Sequence, residues 1–329
     1  MTVSHVTIVG AGRMGQGIAA ALAFGNVQVT VVDLRDRGGA AATYHHAFLA
    51  AVRAALDHKV TLGLLAEDRV ADVAGRVDIV AATDAAQAMA TTGIVFEGVP
   101  EVAEVKRDAL QWTETMVGPR VPIASTTSSF LADDLAAYLS APERFLNAHW
   151  LNPADLMPLV EVSPGRTTTA ETIDTTWDLL TAVGKTPVRC APSPGYIVPR
   201  LQTLVMNEAA RMVEEGVASA EDIDTAVRIG FGSRFAVLGL LEFIDWGGCD
   251  TLFHASHYLR RELGERFAPA PLVESNMISG RRGITDGAGF YTFDQNTVAD
   301  YRAQRIADFA RLLDSLGRLS RQEEFATTD

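Results

Sequence analysis

Thr7-Ile8-Val9-Gly10-Ala11-Gly12-Arg13-Met14-Gly15 decides the fold of this 329-residue chain. A β-branched run leads into a G-x-G-x-x-G turn, and an alanine-rich helical stretch, Gly15 to Phe24, follows. Between a strand and a helix, each glycine has a distinct job. Gly10 permits the tight turn, Gly12 lets the backbone approach a pyrophosphate, and Gly15 permits close helix–strand packing. Arg13 and Met14 open the helix, whose N-terminus favours negative phosphate groups. A second apolar run, Val27 to Val32, ends in Asp33, 18 residues after Gly15. A carboxylate there bonds ribose hydroxyls and repels a 2′-phosphate, so the expected cofactor is NAD. Arg35 and Arg37 would favour a phosphate, but beside Asp33 they read as solvated loop charges.

Outward from this turn the first half alternates strands and helices. Val6 to Val9, Val27 to Val32, Val77 to Ala81, Ile94 to Phe96 and Pro122 to Ala124 read as buried parallel strands, with Thr186 to Arg189 as the last strand. Gly15 to Phe24, Ala40 to Asp57 and Val102 to Met116 read as helices. Such alternation predicts an α/β fold, a Rossmann-type doubly wound, mostly parallel sheet. Ala191-Pro192-Ser193-Pro194-Gly195 is turn-forming and marks a boundary. Residues 1–191 are expected to form the NAD-binding domain. Residues 192–329 are expected to form a smaller all-helical domain for substrate and dimerisation, with a C-terminal helical extension. Its helices are expected at Pro199 to Glu215, Glu221 to Ile229, Leu238 to Leu263 and Thr297 to Leu316. Leu201, Leu204, Val205, Ala209 and Met212 form an apolar stripe on the first of these, either core or dimer seam.

Composition narrows the function. A net charge of −13 argues against nucleic acid or an anionic membrane surface as a partner. Two cysteines without metal-ligand spacing and no visible signal peptide point to a cytoplasmic protein with no bound metal.

The chemistry is expected at His149-Trp150-Leu151-Asn152-Pro153. His149 follows the apolar run Phe145 to Ala148, where a parallel sheet opens its ligand crevice. Imidazole titrates in the range needed to take a proton from a secondary alcohol near neutral pH. Glu161, twelve residues on, is placed to orient the ring and stabilise the imidazolium. With a hydride-accepting cofactor, the pair implies an alcohol–ketone oxidoreductase.

These residues complete a wider pattern. Together with the glycine turn stand Glu97-Gly98-Val99-Pro100-Glu101, Ala124-Ser125-Thr126-Thr127-Ser128-Ser129, Leu159-Val160-Glu161-Val162, Gly195-Tyr196-Ile197-Val198, Glu221-Asp222-Ile223-Asp224 and Gly287-Ala288-Gly289-Phe290-Tyr291. The chain thereby resembles the L-3-hydroxyacyl-CoA dehydrogenase family over roughly residues 5 to 293. The resemblance implies oxidation of a 3-hydroxyacyl-CoA, such as 3-hydroxybutyryl-CoA, in fatty acid metabolism by a homodimer. It implies that Ser128 bonds the substrate oxygen or the histidine and that Asn152 braces the His–Glu pair. Glu101 and Lys106 then lie near the nicotinamide and its ribose. Arg53, His58 and Lys59 match positions that meet CoA phosphates in the family, or they form a solvated helix face.

Two departures favour another substrate. Pro199 stands where the family has an asparagine that donates to the substrate carbonyl, and proline offers no donor. Gly230-Phe231-Gly232-Ser233-Arg234 is more similar to the gulonate and carnitine dehydrogenase branches of the superfamily. Arg234 there would grip the carboxylate of a small free 3-hydroxy acid. A catalytically silent NAD-binding structural or sensor protein is a further alternative, opposed by the intact His149–Glu161 pair. An imine-reductase-type NADP enzyme is disfavoured by Asp33.

Overall fold

The computed structural model describes residues 3–319, which include the helix of the expected C-terminal extension. Two compact units divide between Met206 and Asn207.

The first unit holds an eight-stranded sheet: β1 (His5–Val9), β2 (Gln28–Asp33), β3 (Val77–Ala81), β4 (Ile94–Glu97), β5 (Ile123–Ser125), β6 (Phe145–Trp150), β7 (Leu159–Pro164) and β8 (Thr186–Arg189). Their order is β3-β2-β1-β4-β5-β6-β7-β8. All neighbours are parallel except β6 and β7. The chain runs one way from β1 to β3 and the other way from β4, so a crevice opens beyond the carboxyl ends of β1 and β4. The Rossmann-type reading holds.

Burial explains the unbroken apolar strands. Val6, Ile8, Val29 and Val31 pack with Ile18 and Leu22 of helix α1 (Arg13–Phe24) and Phe48, Val52 and Leu56 of α2 (Ala41–Thr61). Val9, Val32 and Val95 turn to the other face with Met89. Leu110, Ile123, Leu135 and Phe145 extend that face. With helices on both faces, no strand position needs to be polar.

Three differences from the sequence reading have local causes. Leu159–Pro164, read as an apolar segment, is a full strand because it zips onto β6. Ala170–Ala182, not anticipated, is a helix whose N-terminus is capped by Thr169, its hydroxyl accepting from the Thr172 N–H. The single helix expected over Leu238 to Leu263 is two, Leu240–Gly247 and Cys249–Leu263. Gly248 between them sits at φ 93°, outside the helical region, and the axis breaks there.

The second unit is helical, with the helix Val198–Glu214 running into it. After Ala220–Ala226 the chain widens into a π-turn at Val227–Phe231, where the sequence reading expected plain α-helix. The expected late helix forms over Val298–Ser315. The Gly287-to-Tyr291 block wraps a buried carboxylate. Asp245 accepts the N–H of Phe290 at 3.0 Å and of Tyr291 at 2.8 Å. A Cβ on Gly289 would lie 2.0 Å from Asp245 Oδ1, so glycine is required there.

Gly15 yields a first prediction. A Cβ at this position would lie 2.3 Å from the Gly10 carbonyl oxygen, a backbone atom with no side-chain freedom. Gly15→Ala should lower unfolding stability by about 1–3 kcal/mol, the range for a forced steric insertion. It should also weaken NADH binding, because the turn must shift. A denaturant melt and an NADH titration both matching wild type would show that the turn is not tightly packed.

Candidate active site

The glycine turn fits a dinucleotide. Gly10 adopts φ 121°, and a Cβ there would meet the Gly98 carbonyl oxygen at 2.7 Å. Above Gly12 the space is open, with nothing within 4 Å of an ideal Cβ. Helix α1 starts on Gly12 with no side-chain cap, which leaves its first N–H groups for an anion. Arg13 is exposed and Met14 half-buried beside it. Asp33 stands at the end of β2 and is buried. Arg37, expected as a solvated loop charge, instead pairs with it. Its Nε donates to Asp33 Oδ2 at 2.7 Å and its Nη2 to Oδ1 at 3.2 Å.

A second polar cluster lies at the ends of β4 and β5. Lys106, almost fully buried, donates to both oxygens of the fully buried Glu97, at 3.1 and 3.2 Å. Glu97 also accepts from Ser125 Oγ at 2.5 Å and from the Val99 N–H at 2.7 Å. Glu101 Oε2 lies 3.1 Å from the same lysine. Its Oε1 gathers the next loop, accepting from the Thr127 hydroxyl, the Ser128 and Ser129 N–H groups and the Ser129 hydroxyl. Burial works against the charge of Glu101. Hydrogen bonds from Thr127 and Ser129 and the Lys106 ammonium outweigh it and hold its carboxyl at about 2. Glu101 is therefore the post on which the Ser128 loop is shaped. Ser128 itself is exposed, and its hydroxyl makes no hydrogen bond to His149.

His149 and Glu161 face each other across the antiparallel β6–β7 pair, in direct register. Directly opposed residues share a face, so the twelve-residue spacing brings the side chains together. His149 Nδ1 lies 2.8 Å from Glu161 Oε2, both residues buried. A carboxylate only accepts, so Nδ1–H is the donor, and in the neutral ring that tautomer leaves the lone pair on Nε2. Glu161 Oε1 accepts the N–H groups of Ile197 at 2.9 Å and Val198 at 2.8 Å. The carboxylate thus closes the start of the helix Val198–Glu214, a position favourable to negative charge.

Tyr196 completes the pair. Its ring stacks on the imidazole, with centroids 5.0 Å apart and planes 13° from parallel. Its hydroxyl donates to the Thr127 carbonyl at 2.9 Å and accepts from Asn147 Nδ2 at 3.0 Å. Tyr196 sits at φ 45°, uncommon for a bulky residue, and these contacts hold it there. Burial pushes its phenol above the ordinary range. Sequence reasoning does not reach the roles of Tyr196, Asn147 and Glu97. The one signal it offers is a carboxylate ending the apolar run Ile94-Val95-Phe96-Glu97.

Two expectations fail. Asn152 does not brace the pair: it is exposed beyond the end of β6, with no hydrogen bond to His149 or Glu161. The bracing comes instead from the helix start and Tyr196. Lys59 is not available to a CoA phosphate, because it is buried and donates to the Asp155 carbonyl at 2.9 Å. Arg53 stays exposed, 3.9 Å from Asp57. Arg234 lies in the second unit, exposed, its Cζ 6.0 Å from the Phe243 ring centroid, with no carboxylate partner among the described residues. No cluster of three or more His, Cys, Asp or Glu side chains among the described residues is arranged to hold a metal ion.

The chain is similar to known proteins along most of its length. The family described as 3-hydroxyacyl-CoA dehydrogenase, NAD binding domain, matches residues 5–193, and 3-hydroxyacyl-CoA dehydrogenase, C-terminal domain, matches residues 195–293. The chain belongs to the 3-hydroxyacyl-CoA dehydrogenase family. A member of that family, it is an NAD-dependent dehydrogenase acting on a CH–OH group. Among curated relatives, a probable 3-hydroxybutyryl-CoA dehydrogenase of Bacillus subtilis is 30% identical, over 90% of this chain and 100% of that protein. A 5-formyl-3-hydroxy-2-methylpyridine 4-carboxylate 5-dehydrogenase of Mesorhizobium japonicum is 31% identical, over 92% of this chain and 95% of that one. Among solved structures, a 3-hydroxyacyl-CoA dehydrogenase of Archaeoglobus fulgidus gives a TM-score of 0.75 at 29% identity, covering 96% of this chain and 100% of that one.

Proposed function

We propose that the substrate is a 3-hydroxyacyl-CoA, such as 3-hydroxybutyryl-CoA, interconverted with its 3-keto product in fatty acid metabolism. The observation that carries this is the buried His149–Glu161 pair, together with the activity of the family. His149 Nε2 takes the proton of the substrate hydroxyl as the C–H hydride leaves. Glu161 stabilises the imidazolium through Nδ1 and is itself held by two backbone donors. Ser128, on the loop organised by Glu101, supplies a hydroxyl for the substrate oxygen. Gly10, Gly12, Arg13, Met14, Gly15 and Asp33 would hold NAD, which when bound would supply the hydride acceptor. Lys106 stands in the charged cluster toward the nicotinamide end.

A second reading is favoured by Pro199, by the buried Lys59 and by the carboxylate substrate for which the Mesorhizobium relative is named. In it, Arg234 grips the carboxylate of a small free 3-hydroxy acid. NADH formation with 3-hydroxybutyryl-CoA, free 3-hydroxybutyrate, gulonate and carnitine separates the two. Turnover of the thioester, changed less than about 3-fold in Arg234→Ala, is the expected result. Turnover of free acids only, with KM rising about 10-fold or more in Arg234→Ala, establishes the second reading. Silence across the panel rejects both.

The apolar stripe on the helix Val198–Glu214 supports a homodimer. Leu204 is 63% exposed, with Leu201 and Val205 exposed beside it and Ala209 and Met212 half-buried. Cys190 and Cys249 are both free thiols, and no described helix is long and apolar enough to cross a membrane. A reducing, cytoplasmic setting suits the thiols.

A further inference from the structure

We propose that Arg37 is the adenine shelf of the cofactor site, a flat cationic surface set in place before NAD arrives. The inference rests on the Gly10-to-Gly15 turn as the pyrophosphate site. Asp33 holds the guanidinium edge-on through two hydrogen bonds, at 2.7 and 3.2 Å. The Arg35 N–H donates to Asp33 Oδ1 at 3.3 Å, and His45 Nε2 lies 3.5 Å from Oδ2, so the carboxylate is fixed from several sides. One face of the guanidinium lies on the Tyr44 ring, with Cζ 3.4 Å from its centroid. The Tyr44 hydroxyl donates to the Ala11 carbonyl at 2.6 Å, inside the glycine turn. Turn, tyrosine, guanidinium and ribose carboxylate therefore form one connected assembly, and the arginine side chain retains 19% exposure.

A guanidinium is planar and weakly hydrated, and it stacks on aromatic faces, which an ammonium does not do. Every nucleobase has a π-face that can lie on such a plane, whatever its polar edges. Because Arg37 is already held by Asp33 and Tyr44, little side-chain freedom remains to be lost on binding. The position matters as well. Adenosine must run from the glycine turn toward Asp33, and Tyr44 and Arg37 span that interval.

The opposite role for the same contacts is a latch, in which Arg37 competes with ribose for Asp33. Calorimetric titration of NADH and of AMP into the full-length protein distinguishes the two, with no need for turnover. Arg37→Ala should weaken both ligands by the same factor, about 10-fold or more. Arg37→Lys should recover little of it, although it keeps a positive charge opposite Asp33 and so guards against misfolding. Unfolding midpoints of both variants provide the fold control. Unchanged or tighter NADH binding by folded Arg37→Ala or Arg37→Lys overturns the proposal. Failure of the wild-type protein to bind NADH would instead overturn the cofactor-site reading on which it rests.

Discussion

Replacing His149 by alanine is expected to lower kcat about 10²- to 10⁴-fold, the contribution of a positioned general acid–base, with NADH affinity unchanged. The size of the effect follows from the surroundings. The imidazole is buried, its Nδ1 is committed to Glu161 and its ring is stacked on Tyr196, so one tautomer and one orientation are imposed. The cavity left by alanine admits water but no group of comparable basicity at that place. Glu161 keeps its two backbone donors from Ile197 and Val198, so the helix start survives and the loss is catalytic. Stopped assays with saturating substrate, alongside NADH titration, make the comparison. Activity within tenfold of wild type would mean that the proton leaves by another route.

Lys106→Ala is expected to destabilise the protein more than Gly15→Ala does. It strands the Glu97 carboxylate, which has no solvent exposure, without its cation. Removing one partner of a buried ion pair costs about 3–5 kcal/mol, because the other charge remains desolvated. The Ser125 hydroxyl and the Val99 N–H still reach Glu97, which sets the expectation toward the lower end. Glu101 loses the same ammonium but is better solvated and keeps the Thr127–Ser129 loop. The denaturant midpoint reads the effect. A shift worth less than about 1 kcal/mol, the size of an exposed ion pair, would show that Glu97 takes a proton or water with little penalty.

Much of the first unit is legible in the sequence because its signals are local and periodic. β3 and β8 occupy the residues expected, and the other anticipated strands differ by a residue or two at their ends. Buried parallel strands are apolar on both faces, and the glycine turn is recognisable without any distant residue. The helical unit is less legible. Gly248 breaks an otherwise continuous helical pattern, and Val227–Phe231 inserts a π-turn that periodicity does not announce.

The candidate site divides along the same line. His149 and Glu161 are legible as a pair because they lie on consecutive apolar segments, and the antiparallel pairing of those segments sets them directly opposite each other. The partners of Lys59 and Tyr196 are not, since each reaches a loop or strand far away in sequence, and those of Arg37 and Glu97, though partly near in sequence, follow no periodic pattern. Arg37 reads as a loop charge, and only the fold sets Asp33 and Tyr44 on either side of it. Lys59 reads as part of a basic helix face, yet it turns inward to the Asp155 carbonyl, 96 residues away.

By itself, then, the sequence determined the Rossmann-type turn, the strand and helix alternation, and the histidine with the carboxylate that orients it. Tertiary structure alone decided which buried charge meets which, that Asn152 stands apart, and that Glu161 also caps a helix. The physical reason is range. Hydrophobic periodicity and turn chemistry act within a few residues, whereas a buried polar group is satisfied by whatever the packed chain brings within about 3 Å of it.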